Sequence, residues 1–563
     1  MSPSALPIPK LGQTTRVTLS HLGQDGHALA ELALNLKRAT PPQTLVIISA
    51  NGFDAQRLLE ELPYFAPELT VNLLPDWETL PYDQFSPHPD LISERLTTLY
   101  QITQNACDVI IVPLSTALIR ISPKAYLNAN TFMLKKGQRL DTDALRLQCA
   151  EAGYHHVSQV ISHGEFSVRG GLVDLFPMGS ALPYRIDLFG DEIDQIRSFD
   201  PDSQRSLFPV KEVRLLPGHE FPMDEESRTA FRGRWREVFD GDPSRCSIYK
   251  DIGLGIPSAG IESYLPLFFE TSATFFDYLP MAKGPVWLGV HGELESNIKG
   301  FWQDTQQRYN FLSHDSSRPV LEPKQLYLEN DELFALLKNH PRLVLDKNST
   351  TTEPTFFALP DVSVNRKDDD PISKLKHLVN NTSSRIIISA DSAGRRETIR
   401  QLLEENQLKV HQTDSLMDFL VSDAKLGITH SNIHDGFVSK QAELIVITES
   451  ELFAASARTR RKGKDKEASN VDTLVKDLSE LKVGDPVVHA EHGIGRYQGL
   501  ILLDVGNGEE EFLHLLYANA ATLYVPVQQL QLISRYAGAD PETAPLHQLG
   551  SGQWEKAKRK AAQ

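Results

Sequence analysis

Between Glu165 and Glu192 the sequence EFSVRGGLVDLFPMGSALPYRIDLFGDE sets Asp174, Asp187, Asp191 and Glu192 at short intervals from Arg169, Arg185 and Phe189. Two kinds of chemistry could use such a set. Neighbouring carboxylates can divide into a general acid and a general base, or hold a cation. Arginines beside an aromatic ring suit protein docking, because a guanidinium pairs bidentately with a carboxylate and a ring buries area at low entropic cost. Asp191 and Glu192 follow Gly190 in a turn, where carboxylates are ordinarily solvated, so catalysis is the weaker expectation. Residue types alone also leave a plainer arrangement open, in which Arg169 pairs with Asp174 or Glu165 and Phe189 packs internally.

Two other groups invite chemistry and fail on spacing. His489, Glu491 and His492 resemble a metal set, but three residues within four positions of a strand cannot all face one ion, and we read a structural turn. LSHLGQDGHALAEL, residues 19 to 32, stands where a phosphate-binding loop would open a helix. It lacks GxxxxGK[ST], as does the rest of the chain, so Gly23 and Gly26 are read as turn glycines. Cys107, Cys149 and Cys246 form neither a CxxC pattern nor a disulfide framework and are expected to be buried thiols of a reducing cytosol.

The elements that must carry these residues follow from periodicity. At 563 residues the chain holds several domains, and 40% hydrophobic with 23% charged residues is ordinary globular usage. A net charge of −17 argues against polyanion binding by the whole molecule. No apolar run reaches signal-peptide or membrane-span length, so a cytoplasmic, non-membrane protein is expected. ALAELALNLK, TLVIISA, FDAQRLLEEL, TVNLLPDW, SERLTTLYQIT and CDVIIVPL alternate helix and strand, which implies βαβ units over residues 1 to 130. A small α+β domain is expected at 131 to 217, where GLVDLF, YRIDLFG and IDQIRSF have period two, inserted into an α/β domain that resumes over 218 to 345. In YRIDLF, Arg185, Asp187 and Phe189 share one face of the strand and Ile186 and Leu188 the other.

A further small α/β domain is read at 346 to 455, from SRIIISADSAGRRETIRQLLEEN and AELIVITESELF. Residues 456 to 473 form a basic tether, with six basic residues between Arg458 and Lys466. From 474 to 548 the chain is strand-rich with glycine turns, as in a small bent β-barrel, and 549 to 563 begins a helix cut off mid-run. GLILLDVGNGEEEFLHLL reads as two strands joined at Gly506-Asn507-Gly508. Ile501 and Leu503 lie on one face with Leu500 and Leu502 on the other, so a one-sided core leaves apolar surface over. Tyr517, Tyr524 and Pro526 are read as packing residues.

VVHAEHGIGRYQGL followed by EFLHLLYANAATLYVPVQQLQLISRY resembles the RNA-polymerase-interacting module of the bacterial transcription-repair coupling factors, which CarD regulators share. LPDWETLPYDQFSPHPDLISERL, from Leu74, is similar to that family's N-terminal module, a relative of the repair protein UvrB. The resemblance implies a degenerate RecA-type module without ATP binding or the long lesion-probing hairpin, and a 131 to 217 domain that imitates the UvrB surface gripping UvrA. It implies Arg169, Arg185 and Phe189 as UvrA contacts. It also implies Leu503, Ile501 and Leu513 as contacts to the RNA polymerase β subunit, through pairing at an exposed strand edge. ATP, magnesium and most DNA contact would belong to a motor beyond residue 563, the span here being a monomeric adaptor without cofactor. A UvrB-type damage-recognition subunit and a CarD-like transcription regulator are the rival readings.

Overall fold

In a computed structural model of the chain, the described residues are 13–18, 24–279, 287–346, 356–357, 359–365, 368–439, 442–453, 483–489, 493–504, 509–518, 521–526, 533–535 and 546. They fall into two compact units, Met1–Ala455 and Ser456–Gln563. The basic segment 456 to 473, the turn at 506 to 508 and the terminal helix expected at 549 to 563 lie outside the described residues. The architecture is mixed α/β with several sheets.

The first sheet of unit 1 has six strands in the order Thr14–Thr18, Arg342–Asp346, Trp287–His291, Leu45–Ser49, Val109–Pro113, Val71–Leu73. Every neighbouring pair is parallel. LVIIS and VIIVP are buried at every position, as parallel strands covered on both faces must be, which is why they read as unbroken apolar runs. The chain leaves this sheet after Pro113 and re-enters it at Trp287. Helix Gly52–Phe65 is capped by Asn51, whose side chain accepts from the Asp54 N–H at 2.8 Å.

Within the excursion lies a second six-stranded sheet, built in sequence order from His155–His156, Glu165–Arg169, Leu172–Leu175, Tyr184–Phe189, Glu192–Phe199 and Ser206–Val210. All its pairs are antiparallel except the first. Alternation places Phe166, Val168, Val173, Leu175, Ile186 and Ile196 in one core with Leu96 and Leu99 of helix Pro89–Thr103. Arg95 of that helix is buried and donates from Nε to Glu220 at 2.5 Å and from Nη1 to the Pro75 carbonyl at 2.7 Å. The third sheet runs Phe356–Phe357, Phe437–Ser439, Leu444–Thr448, Arg385–Ala390, Leu426–His430, His411–Gln412, and its last four strands are parallel. It packs through Phe437 on helices Gln24–Arg38 and Gly52–Phe65, the Phe437 ring lying 5.6 Å from that of His27 and 6.1 Å from that of Phe65.

Unit 2 is a five-stranded antiparallel sheet in the order Thr522–Pro526, Glu509–Leu516, Gly493–Asp504, Pro486–His489, Ile533–Arg535. Val487, Tyr497, Leu513, Leu515, Tyr517, Val525 and Ile533 form its core. Among the described residues the two outer strands do not pair with each other. No helix of the described residues is long and apolar enough to cross a membrane.

His163 ties the second sheet's domain to helix Pro89–Thr103. Its Nδ1 lies 2.8 Å from Asp90 Oδ1 and its Nε2 2.7 Å from the Ser180 carbonyl, an arrangement that uses both nitrogens as donors and hence the imidazolium. Burial opposes that charge, but the hydrogen bonds to Asp90 and Ser180 outweigh it and raise the pKa above the ordinary 6.5. A His with a raised folded pKa contributes fully below 6.5 and loses its contribution as pH rises through the folded value. We therefore predict that amide exchange around residues 88 to 92 and 157 to 165 accelerates beyond the intrinsic rate increase as pH rises from 6 to 9, and that His163→Ala abolishes this excess.

Candidate functional site

The cross-strand register brings Ser167, Asp174, Arg185 and Arg197 into one row on the face of the second sheet away from the core. Asp174 is 1% exposed, and three hydrogen bonds converge on it. Arg185 donates from Nε to Oδ1 at 2.7 Å and from Nη2 to Oδ2 at 2.9 Å, while Arg169 donates from Nη2 to Oδ2 at 2.7 Å. The third nitrogen of Arg185, Nη1, donates to the Gln204 carbonyl at 3.1 Å, and its guanidinium lies 4.8 Å over the Phe199 ring. The hydrogen bonds to Asp174 raise the Arg185 pKa, so the charge is fixed as well as the geometry.

The three sequence candidates therefore differ in kind. Arg185 is only 17% exposed, so it is not the open surface arginine that strand alternation suggested; cross-strand pairing has consumed its donors. Arg169 pairs with Asp174, as the plainer sequence reading holds, yet remains 52% exposed. Phe189 does not pack internally: it is 85% exposed at the end of its strand, beside Gly190 at φ 65°. Arg197 and Asp187 complete the face as an ion pair at 2.5 Å. The neighbouring edge strand Ser206–Val210 exposes Leu207 and Phe208, which sequence reasoning passed over because SLFPV shows no alternation to mark a face.

At the position of a phosphate loop the structure places acid. Helix Gln24–Arg38 begins four residues before the predicted run, so Gly26 is helical and not a turn glycine; Gly23 lies outside the described residues. A Cβ on Gly26 would meet Glu61 Oε2 at 2.5 Å, which explains the glycine by close approach. Arg57 bridges Asp25 at 2.6 Å and Glu61 at 2.7 Å, with both Arg57 and Glu61 buried. Burial works against the Arg57 charge, but Asp25 and Glu61 overcome it and raise its pKa. Both carboxylates beside the start of this helix are thus engaged by Arg57.

In unit 2, strand Gly493–Asp504 pairs with Pro486–His489 only as far as Arg496, and backbone bonds to Gly484 and Asp485 end at Tyr497. From Leu500 to Asp504 only strand Glu509–Leu516 pairs with it among the described residues, leaving the opposite edge open. Leu500 is 54% exposed and Ile501 partly so. Leu503 pairs through its backbone with Glu510, and its side chain lies outside the described residues. Leu513 corrects the sequence expectation: it is 2% exposed within the core, where it cannot touch a partner. Tyr517 is a core residue as expected, donating to the Gly493 carbonyl at 3.2 Å, whereas Tyr524 is exposed and stacks on His514 at 5.1 Å. His489 is buried on its strand, residues 490 to 492 are outside the description, and no group of metal-ligating side chains occurs among the described residues.

Comparison with known proteins bears on these surfaces directly. Residues 132–221 match the UvrB interaction domain, 379–452 the MFD, D3 domain, and 481–537 the CarD-like/TRCF RID domain. The transcription-repair-coupling factor of Escherichia coli K12 is 42% identical over 525 residues, 92% of this chain and 45% of that protein. That of Haemophilus influenzae is 40% identical over 553 residues, covering 96% and 47%, and that of Myxococcus xanthus 28% over 586 residues, covering 98% and 48%. Over most of its own length the chain is similar to transcription-repair-coupling factors. It spans about half the length of the curated relatives it matches. The D3 match falls on the third sheet, whose strand-turn-helix pattern is generic and gave the sequence reading nothing diagnostic.

Two substitutions separate surface from scaffold. Phe189→Ala should change unfolding free energy by less than about 0.5 kcal/mol, since its ring is solvated already. Arg57→Ala should cost about 3 to 5 kcal/mol, because it strands buried Glu61 beside Asp25. Chemical denaturation of the two variants against the parent reads both values.

Proposed function

We propose that this chain is the adaptor portion of a transcription-repair coupling factor, joining RNA polymerase to UvrA in transcription-coupled nucleotide excision repair. The observation that carries the reading is the coexistence in one chain of the UvrB-interaction match, on whose outer face Arg169 and Phe189 stand exposed, with the CarD-like/TRCF RID match at 481–537. Arg169 and Phe189 contact UvrA, and Arg185 supports them from beneath. The open strand edge at 500 to 504 contacts the polymerase β subunit, with Ile501 and Leu503 at its centre and Leu513 holding the strand from the core side. The ATP-driven motor, its magnesium and most DNA contact lie in the portion of the relatives that this span does not match. The adaptor works as a monomer in the cytoplasm, and its strand-rich module is a CarD-like barrel.

A UvrB-type subunit would need a phosphate site at helix Gln24–Arg38, where carboxylates Asp25 and Glu61 stand. A CarD-like regulator alone would leave the three sheets of unit 1 without a role. Pull-downs with purified UvrA and polymerase β subunit decide among the three. Arg169→Ala with Phe189→Ala should lose UvrA and retain the β subunit, whereas Leu503→Glu should do the reverse. Tight binding of ATP by the chain, or equal capture of UvrA by wild type and double variant, would overturn the assignment.

A further inference from the structure

Arg169, Arg185 and Phe189 share one face of the sheet, but the two arginines are held differently. Arg185 spends Nε and Nη2 on Asp174 and Nη1 on the Gln204 carbonyl, and it lies over Phe199. Arg169 spends a single nitrogen, Nη2, on Asp174 and stays half exposed. Two guanidiniums sharing one carboxylate leave one net positive charge. Since Arg185 is largely covered, that charge is presented through Arg169. The adjoining Arg197 and Asp187 neutralise each other.

We infer that Asp174, which is too buried to touch any partner, is the positioning residue of this surface: it locks Arg185 as a strut and aims the free edge of the Arg169 guanidinium outward, toward a carboxylate that the partner presents beside an apolar socket for Phe189. The inference rests on the docking reading above and assigns that surface its internal division of labour. An Arg side chain free in water samples many rotamers and must be ordered when it binds; one already held by a buried carboxylate has lost that freedom during folding, so less is lost on association. Placement on adjacent strands makes the hold rigid. Ser167, Asp174 and Arg185 are directly opposed in the ladder, and Arg169 lies two residues beyond Ser167 on the same face. The 131 to 217 stretch thus presents one oriented cationic fork and one exposed ring, rather than a diffuse basic patch.

A double-mutant cycle on the full chain tests this, with purified UvrA as the probe and affinity as the readout. Asp174→Asn keeps the volume but replaces one acceptor oxygen with a donor facing the guanidiniums. It should weaken binding about tenfold or more, comparably to Arg169→Ala. In an Arg169→Ala background Asp174→Asn should add nothing, whereas in a Phe189→Ala background its full effect should remain. Unchanged affinity of Asp174→Asn, or an equal further loss in both backgrounds, would overturn the positioning role while leaving the docking surface intact. Indifference of UvrA to Arg169→Ala and Phe189→Ala would instead remove the docking surface and the inference with it. Thermal melts accompany each variant. If Asp174→Asn melts below the assay temperature, Arg169→Lys takes its place, since it retains the charge without the fork: affinity as poor as that of Arg169→Ala supports the inference, and wild-type affinity refutes it.

Discussion

One buried carboxylate governs what the outer face of the second sheet can do. Desolvating Asp174 is tolerable only because three charge-assisted hydrogen bonds reach it, and those bonds dictate where two arginines sit. The strand pairing that places Ser167, Asp174 and Arg185 in one row is set in turn by the apolar alternation on the opposite face, where Phe166, Val173 and Ile186 enter the core. A slip of one residue in strand Tyr184–Phe189 would bury the Arg185 guanidinium and expose Ile186, so the hydrophobic core and the polar face fix each other. The arrangement of this outer face is therefore a by-product of correct register and needs no loop.

The first sheet illustrates the opposite history of a site. Its parallel strands and the helix opening after Thr14–Thr18 have the layout in which nucleotide phosphates are held in many α/β proteins. Here the start of helix Gln24–Arg38 carries an ion-pair network of Asp25, Arg57 and Glu61, with the Glu61 carboxylate lying close against Gly26. The network also reaches the third sheet's domain, since the His434 imidazole lies 3.7 Å from Glu61 and Asn432 donates to Glu60 at 3.1 Å.

Much of this was legible in the sequence where a short-range pattern suffices. Unbroken apolar runs such as VIIVP announced central parallel strands, and period-two runs such as IDQIRSF announced an antiparallel sheet. The face alternation of YRIDLF was correct as far as core and outer side are concerned. What sequence could not supply was who stands opposite whom. Arg185 looked exposed because its own strand says nothing of Asp174 across the ladder, and Leu513 looked available because half-buried strands reveal two faces without saying which is inside. Gly26 looked like a turn because the side chain that requires it, Glu61, lies in another helix.

The chain's departure from the first sheet at Pro113 and return at Trp287 carries a mechanical corollary. A module hung from one peptide swivels, but one threaded between two strands of its host is moored twice, and Arg95 clasping Glu220 adds a third hold from within. A tug on Phe189 or Arg169 would therefore be shared among separate strands of the parent scaffold instead of peeling a single terminus. Such mooring would keep the outer face of the second sheet aimed under load.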